Sequence, residues 1–233
     1  MSCRRLVAAV LATLTGIGLS GCALVLPAGD PVTQTRDIPD VTAVVLKTTG
    51  DLVVSVGPPR LEVTAGDKVI DSLTSRVDGD TLELGKTRGS TLRGDWSYRL
   101  TVSSLASVTI DGSGKARVDF SGSSNVAIAI DGSGKVTADK IDAAALTVDL
   151  TGTSTVTAIG RATRQTVTLE AGGYSAYDLS SDEATVTVDG SGDAKVRVSR
   201  TLDARIDGSG SITHLGDAKV TSKVDGSGKV SAG

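Results

Sequence analysis

The tetrapeptide Asp-Gly-Ser-Gly occurs five times, beginning at Asp111, Asp131, Asp189, Asp207 and Asp225. An acid repeated beside glycines could bind Ca²⁺, which takes carboxylate and carbonyl oxygens. The calcium β-roll, however, repeats every nine residues and places its acid after the glycines. Here the acid comes first, with 20 residues between the first two copies and 18 between each of the last three. The match fails, and no metal or cofactor is expected. A second chemistry would be acid–base attack on a polysaccharide, which needs acids, or acids with Arg or Lys, converging on one face. The candidates are Asp119, Asp139, Asp142, Asp149 and Asp178, with Arg161 and Arg164. Sugar clefts usually carry aromatic platforms, and Tyr174 and Tyr177 are the only aromatic pair in the repeats. The single histidine, His214, leaves little room for imidazole chemistry. These charges read as solvated strand and loop side chains, so no catalytic residue is assigned.

The thiols carry a different chemistry. Arg4 and Arg5 precede an uncharged apolar run from Leu6 to Leu19, the pattern of a secretory signal. The run is shorter than the ~20 residues that span a bilayer as a helix. Leu19-Ser20-Gly21-Cys22 follows. This run resembles the lipobox of bacterial lipoproteins, in which the cysteine thiol is acylated and becomes the first residue after cleavage. Residues 1–21 are then a signal peptide, and Cys3 leaves with it, so the mature chain has no free thiol and no disulfide. The mature net charge is 22 minus 27, or −5, since Arg4 and Arg5 also leave. Residues 22–37 contain Pro27, Gly29 and Pro31 without clear periodicity and read as a flexible tether.

What positions the repeated acids is a rung. The gap from Asp131 to Asp189 is 58 residues and holds two degenerate copies, Thr151-Gly152-Thr153-Ser154 and Glu170-Ala171-Gly172-Gly173. Seven copies then recur every 18 to 20 residues, the signature of a solenoid. Before each turn stand Ile110, Ile130, Leu150, Leu169, Val188, Ile206 and Val224. Two residues earlier stand Val108, Ile128, Val148, Val167, Val186, Ala204 and Ser222, with mostly polar residues between. That alternation marks a strand with one buried face. A column after the turn reads Ala116, Val136, Val156, Ser175, Ala194, Ile212 and Val230. No single rung can bury these residues alone. Stacked as parallel strands, seven rungs would be about 30–35 Å long.

The turn explains the tetrapeptide without a ligand. The aspartate can accept from the backbone N–H two residues on, as an Asx-turn. The second-position glycines (Gly112, Gly132, Gly190, Gly208, Gly226) and fourth-position glycines (Gly114, Gly134, Gly192, Gly210, Gly228) supply positive φ. Ser113, Ser133, Ser191, Ser209 and Ser227 can bond to their equivalents one rung away.

Composition agrees with strands and turns. Gly, Val and Thr number 28 each, while aromatics make up only 2%. A 39% hydrophobic fraction and a net charge of −3 exclude a disordered chain. A pI near 5.2 with few aromatics argues against nucleic acid as a partner. Residues 38–107 hold irregular strand-like runs such as Val41–Leu46, Leu52–Val56 and Tyr98–Val102, read as an N-terminal cap to rungs over 108–233. The fold class is all-β, a single-stranded parallel β-helix.

From Arg76–Leu84 through Leu100–Leu105 into Val108-Thr109-Ile110-Asp111-Gly112-Ser113-Gly114, the chain resembles the bacterial head GIN domain family, labelled as the head of auto-transporter adhesins. The resemblance covers residues 38–233, and its repeated glycine-serine-glycine turns are the specific part. It implies a β-helix like that of pectate lyases, exported and often lipid-anchored, and it brings no catalytic residues. Ser104 departs from the proline expected before the first repeat.

The functional expectation is a non-catalytic exported lipoprotein at the outer face of the membrane. Its partners would be the membrane, through the lipid, and a cell-wall or host glycan or protein. Self-association through the rod's ends is a further expectation. The alternatives are a polysaccharide-acting β-helix enzyme and a purely structural envelope protein. Cys22→Ala should release the protein from membranes or leave the precursor uncleaved. Intact-mass measurement of the exported chain should place cleavage directly before Cys22, and cleavage elsewhere would overturn the assignment.

Overall fold

Alternating β-branched and polar residues build seventeen strands that join in one continuous hydrogen-bonded sheet wound on itself. The computed structural model describes residues 28–233. From Ser107 onward each rung lies parallel to the next, in register. Val108, Ile128, Val148, Val167, Val186, Ala204 and Ser222 stand side by side. So do Ile110, Ile130, Leu150, Leu169, Val188, Ile206 and Val224. These strands form the first wall, and the strands after each turn form the second. A short third side closes each rung after register shifts at Ala138/Ile141, Thr157/Gly160 and Ala176/Ser180. The fold is thus a β-solenoid of about seven turns. Nearly every inward Val, Leu and Ile before the last rung is fully buried. Each such side chain contributes roughly 1.5–3 kcal/mol of transfer free energy.

The post-turn column differs from the sequence expectation at one place. Tyr174, not Ser175, pairs with Val156 and Ala194. Leu169 pairs with Val188 and Gly173 with Asp193, so four steps in one rung match five in the next. The turn at Glu170–Gly172 is one residue shorter, and the large apolar ring takes the inward site.

The turns themselves also differ in two details. Gly132 has φ +123, and a Cβ there would lie 2.5 Å from the Gly112 carbonyl oxygen. The fourth-position glycines, Gly114, Gly134, Gly192, Gly210 and Gly228, are not among the positive-φ residues. They are needed for close approach: a Cβ on Gly134 would lie 2.9 Å from Ile110 Cγ2 and 3.1 Å from the Gly114 oxygen. The Asx-turn does not form at Asp131, Asp189, Asp207 or Asp225, because its donor is already committed. Ser133 N–H donates to Gly112 O (2.9 Å), Ser191 to Glu170 O (3.0 Å), Ser209 to Gly190 O (2.8 Å) and Ser227 to Gly208 O (2.9 Å). The rung below thus replaces the aspartate as acceptor.

The cap reaches further towards the N-terminus than the sequence suggests. Pro31–Arg36 is not a tether but a strand, antiparallel to Arg60–Gly66. Pro31 starts an edge strand, where its missing N–H costs nothing. Arg36 anchors the strand through bonds from its guanidinium to Leu73 O, Ile70 O and Ser75 Oγ. The cap is also threaded out of order. Ala43–Leu46 lies between Thr81–Lys86 and Ser107–Gly112, parallel to both. Asp51–Val56 likewise lies between Ser97–Val102 and Lys115–Asp119. The antiparallel strands Arg60–Gly66 and Leu73–Asp78 then turn the two walls away from further parallel pairing.

Gly132→Val should therefore destabilise the protein by about 1–3 kcal/mol through forced positive φ, beyond any steric cost. Thr137→Val, on the outer side of the neighbouring strand, should be near neutral. At about 2–4 °C per kcal/mol for a domain of this size, melting curves of the two variants check the difference.

Candidate functional site

Asp119 and Asp139 are register neighbours at the end of the second wall, where the strand gives way to the third side. Arg117 Nη1 bonds to Asp139 Oδ2 at 2.6 Å, and Lys140 Nζ to Asp119 Oδ2 at 2.7 Å. Asp119 Oδ1 also accepts from Ser121 N–H (2.9 Å) and Ser121 Oγ (2.6 Å). Lys140 has φ +55, the one non-glycine residue with positive φ among the described residues. That conformation costs roughly 1–2 kcal/mol for an L-residue. It sits at the register shift, where turning the corner demands it, and the ion pair to Asp119 holds it there. Burial pushes the Asp119 carboxyl up, but the bonds from Lys140 and Ser121 outweigh it and hold the carboxyl below its ordinary value. A general acid for glycoside cleavage needs the opposite shift.

The other acids lie elsewhere. Asp142 is on the third side, in register with Arg161. Asp149 is on the first wall, between Ala129 and Thr168. Arg164 pairs with Glu183 at 3.3 Å. Asp178 falls within the register shift between Ala176 and Ser180. The structure brings Asp119 and Asp139 together with two cations and distributes the rest over three sides. In the turn column, Asp111 pairs with Asp131, Asp189 with Asp207, and Asp207 in turn with Asp225. Lys223 bonds to Asp225 at 2.8 Å, whereas Arg205 turns to Asp203 at 2.7 Å. Ser133 Oγ and Thr153 Oγ1 meet across one rung at 3.3 Å. Among the described residues no three His, Cys, Asp or Glu side chains gather as metal donors. Leu19, Ser20, Gly21 and Cys22 lie outside the described residues.

The two tyrosines separate. Tyr177 stays on the outer face, with Lys195 Nζ 6.0 Å from its ring centre. Tyr174 crosses the interior and donates its hydroxyl to Gln165 Oε1 at 2.9 Å. Gln165 Nε2 donates to Ser181 Oγ (2.6 Å), which donates to Arg197 O (2.9 Å). Gln165 interrupts an inward column of Val126, Leu146, Ala184, Leu202 and Val220 and is fully buried. Its partner across the core explains an amide there, and burial pushes the Tyr174 phenol far up. His214 also faces inward, in register with Val196 and Ala232, and its Nδ1 is buried without a hydrogen-bond partner.

Residues 41–218 match the family model described as "Putative auto-transporter adhesin, head GIN domain". The chain belongs to this family. Solved structures agree with the head GIN fold. A putative adhesin from Bacteroides fragilis is similar at a TM-score of 0.81 and 19% identity, covering 88% of this chain and 98% of that one. A protein from Parabacteroides distasonis described as a putative lipid binding protein gives 0.70 and 21%, covering 88% and 97%. A putative adhesin from Parabacteroides merdae gives 0.67 and 18%, covering 88% and 97%. At these identities the likeness speaks for the fold. No curated protein matches the chain.

Two outcomes test the buried chain and the charged corner. Tyr174→Phe keeps the ring but orphans the Gln165 acceptor, and should cost about 1–3 kcal/mol in denaturant unfolding. Asp119 has a depressed folded pKa, so its stabilisation is complete above about pH 4, its unfolded value, and is lost as pH falls through the folded one. The stability gap between the native protein and Lys140→Met should accordingly close in acid.

Proposed function

We propose that the protein is an exported, lipid-anchored and non-catalytic module that adheres to an envelope or host polymer through its outer walls. One observation carries this reading. The inward positions of the rungs are filled by stacked side chains, so the charged and hydroxyl groups stand on outer faces at strand spacing. Such a surface offers repeated, individually weak contacts to an extended ligand, and affinity then accumulates by multivalency. The family's adhesin label and the adhesins among its structural neighbours support the same reading. The bonds that hold Asp119 below its ordinary value support the non-catalytic part, because that carboxyl is not poised to donate a proton.

Cells carrying the chain should retain purified cell-wall or host glycans that otherwise identical cells lacking it do not retain. Binding should saturate without release of reducing or unsaturated sugar ends. Release of such ends, abolished by changing Asp139, Asp142 or Asp178, would replace adhesion by catalysis.

A further inference from the structure

The second wall meets the cap beside Trp96, the only tryptophan of the chain. Its ring is half-buried, packs on the core, and donates Nε1–H to Thr48 Oγ1 at 3.3 Å. Gly50 gives the ring its room, since a Cβ there would collide with it. Two hollows, of 160 and 290 Å³, are both lined by this ring and by Thr49. A third, of 320 Å³, shares Asp51 and Lys115 with the first. The three hollows adjoin through these shared residues and follow one another from the cap onto the second wall as a segmented trough.

Charge is uneven along it. Lys86 stands at the cap end, Lys115 where two hollows join, and Lys135 at the far end. None of the three has an ion-pair partner among the described residues. Lys115 and Lys135 are direct register neighbours, so two ammonium groups project side by side from adjacent strands. Asp51 is the register neighbour of Lys115 on its other side, yet neither it nor Asp95 forms an ion pair with these lysines among the described residues. This cationic line belongs to a chain whose net charge is −3. A fixed, half-open indole offers a face for the C–H side of a sugar ring. Unpaired lysines spaced along the same trough offer repeated anion contacts that steer and hold a charged chain. We propose that the trough binds an acidic polysaccharide, with Trp96 beneath one sugar ring and Lys86, Lys115 and Lys135 on its acid groups. This rests on the adhesive reading and names the ligand class for one part of the surface.

Trp96 makes the test direct, because the protein's tryptophan emission comes from this one residue. The full chain, purified after export, is titrated with oligogalacturonate, with a neutral glucan of equal length and with polyphosphate. Oligogalacturonate should shift the emission saturably and the neutral glucan should not. The pair Lys115→Gln and Lys135→Gln, both on an outer face, should weaken binding by about tenfold or more, equivalent to 1.4 kcal/mol or more. Trp96→Ala, followed by calorimetry with its melting curve as a fold control, should weaken it similarly. Three results would overturn the site: no emission change and no heat, equal binding of the neutral glucan, or polyphosphate binding equally well and independently of Trp96. Cells that still adhere to glycans with all trough variants would place adhesion elsewhere on the walls. Cells that adhere to nothing, beside a purified chain that binds oligogalacturonate, would reject the adhesive reading while leaving the site.

Discussion

Everything in this fold is subject to the distance between neighbouring strands, about 4.8 Å. At that spacing each inward side chain rests on its equivalent one rung away, and each turn backbone rests on the turn below. Gly132 cannot carry a Cβ because the Gly112 carbonyl occupies the space. The same closeness lets Ser133 donate its N–H to that carbonyl instead of to Asp131. The tetrapeptide is thus a stacking device: one glycine for the backbone angle, another for the close approach of the Ile110–Ile130 column, and a serine amide for the bond between rungs. Its aspartate is left pointing outward, where like charges repeat and, among the described residues, only Lys223 answers directly.

A stack with open ends would expose unpaired strand edges and apolar columns. At the N-terminal side the chain solves this by reversing direction. Pro31–Arg36, Arg60–Gly66 and Leu73–Asp78 run antiparallel to their neighbours, so the parallel register is not continued. Arg36 stitches these strands together by bonding the carbonyl of Ile70, which opens the 3₁₀ turn Ile70–Ser72, and that of Leu73, which follows it. Inserting Ala43–Leu46 between two later strands has a further effect. The first-made rung gains neighbours on both sides, and Leu46 is completely buried between Leu84 and Ile110.

The family, the all-β solenoid and the first-wall columns were legible because they depend on local alternation repeated at one period. What escaped reading depends on contacts between distant residues. Pro31 looks like a chain breaker until its partner strand at Arg60–Gly66 is known. The cap's out-of-order threading leaves no mark in local periodicity. A fixed turn length puts Ser175 in the core column; the apolar ring of Tyr174, one residue earlier, is the signal that the turn is shorter. Gln is by type a surface residue, and the hydroxyl of Tyr174 across the interior gives Gln165 its place in the core. Among the candidate acids, the Asp119–Asp139 neighbours follow from the repeat period, but their partners Lys140 and Arg117 follow from how the corner is turned.

The interior and the exterior therefore answer to different constraints. Inward positions must match their neighbours in size from rung to rung, and Tyr174, which enters the regular rungs, brings its own polar partner and an Ala194 beside it. Outward positions must only avoid destabilising the sheet, so residue type there can vary without changing the backbone. Like charges on adjacent strands are the arrangement that sheet stability disfavours. Asp139 answers Arg117, and Glu183 answers Arg164. Lys115 and Lys135 stand next to each other without an ion pair, with Asp51 in register on the other side of Lys115, at the place where the second wall meets the only tryptophan. Like charges also repeat among the turn aspartates, but the lysines line hollows beside an aromatic ring, and there a demand other than folding is most visible.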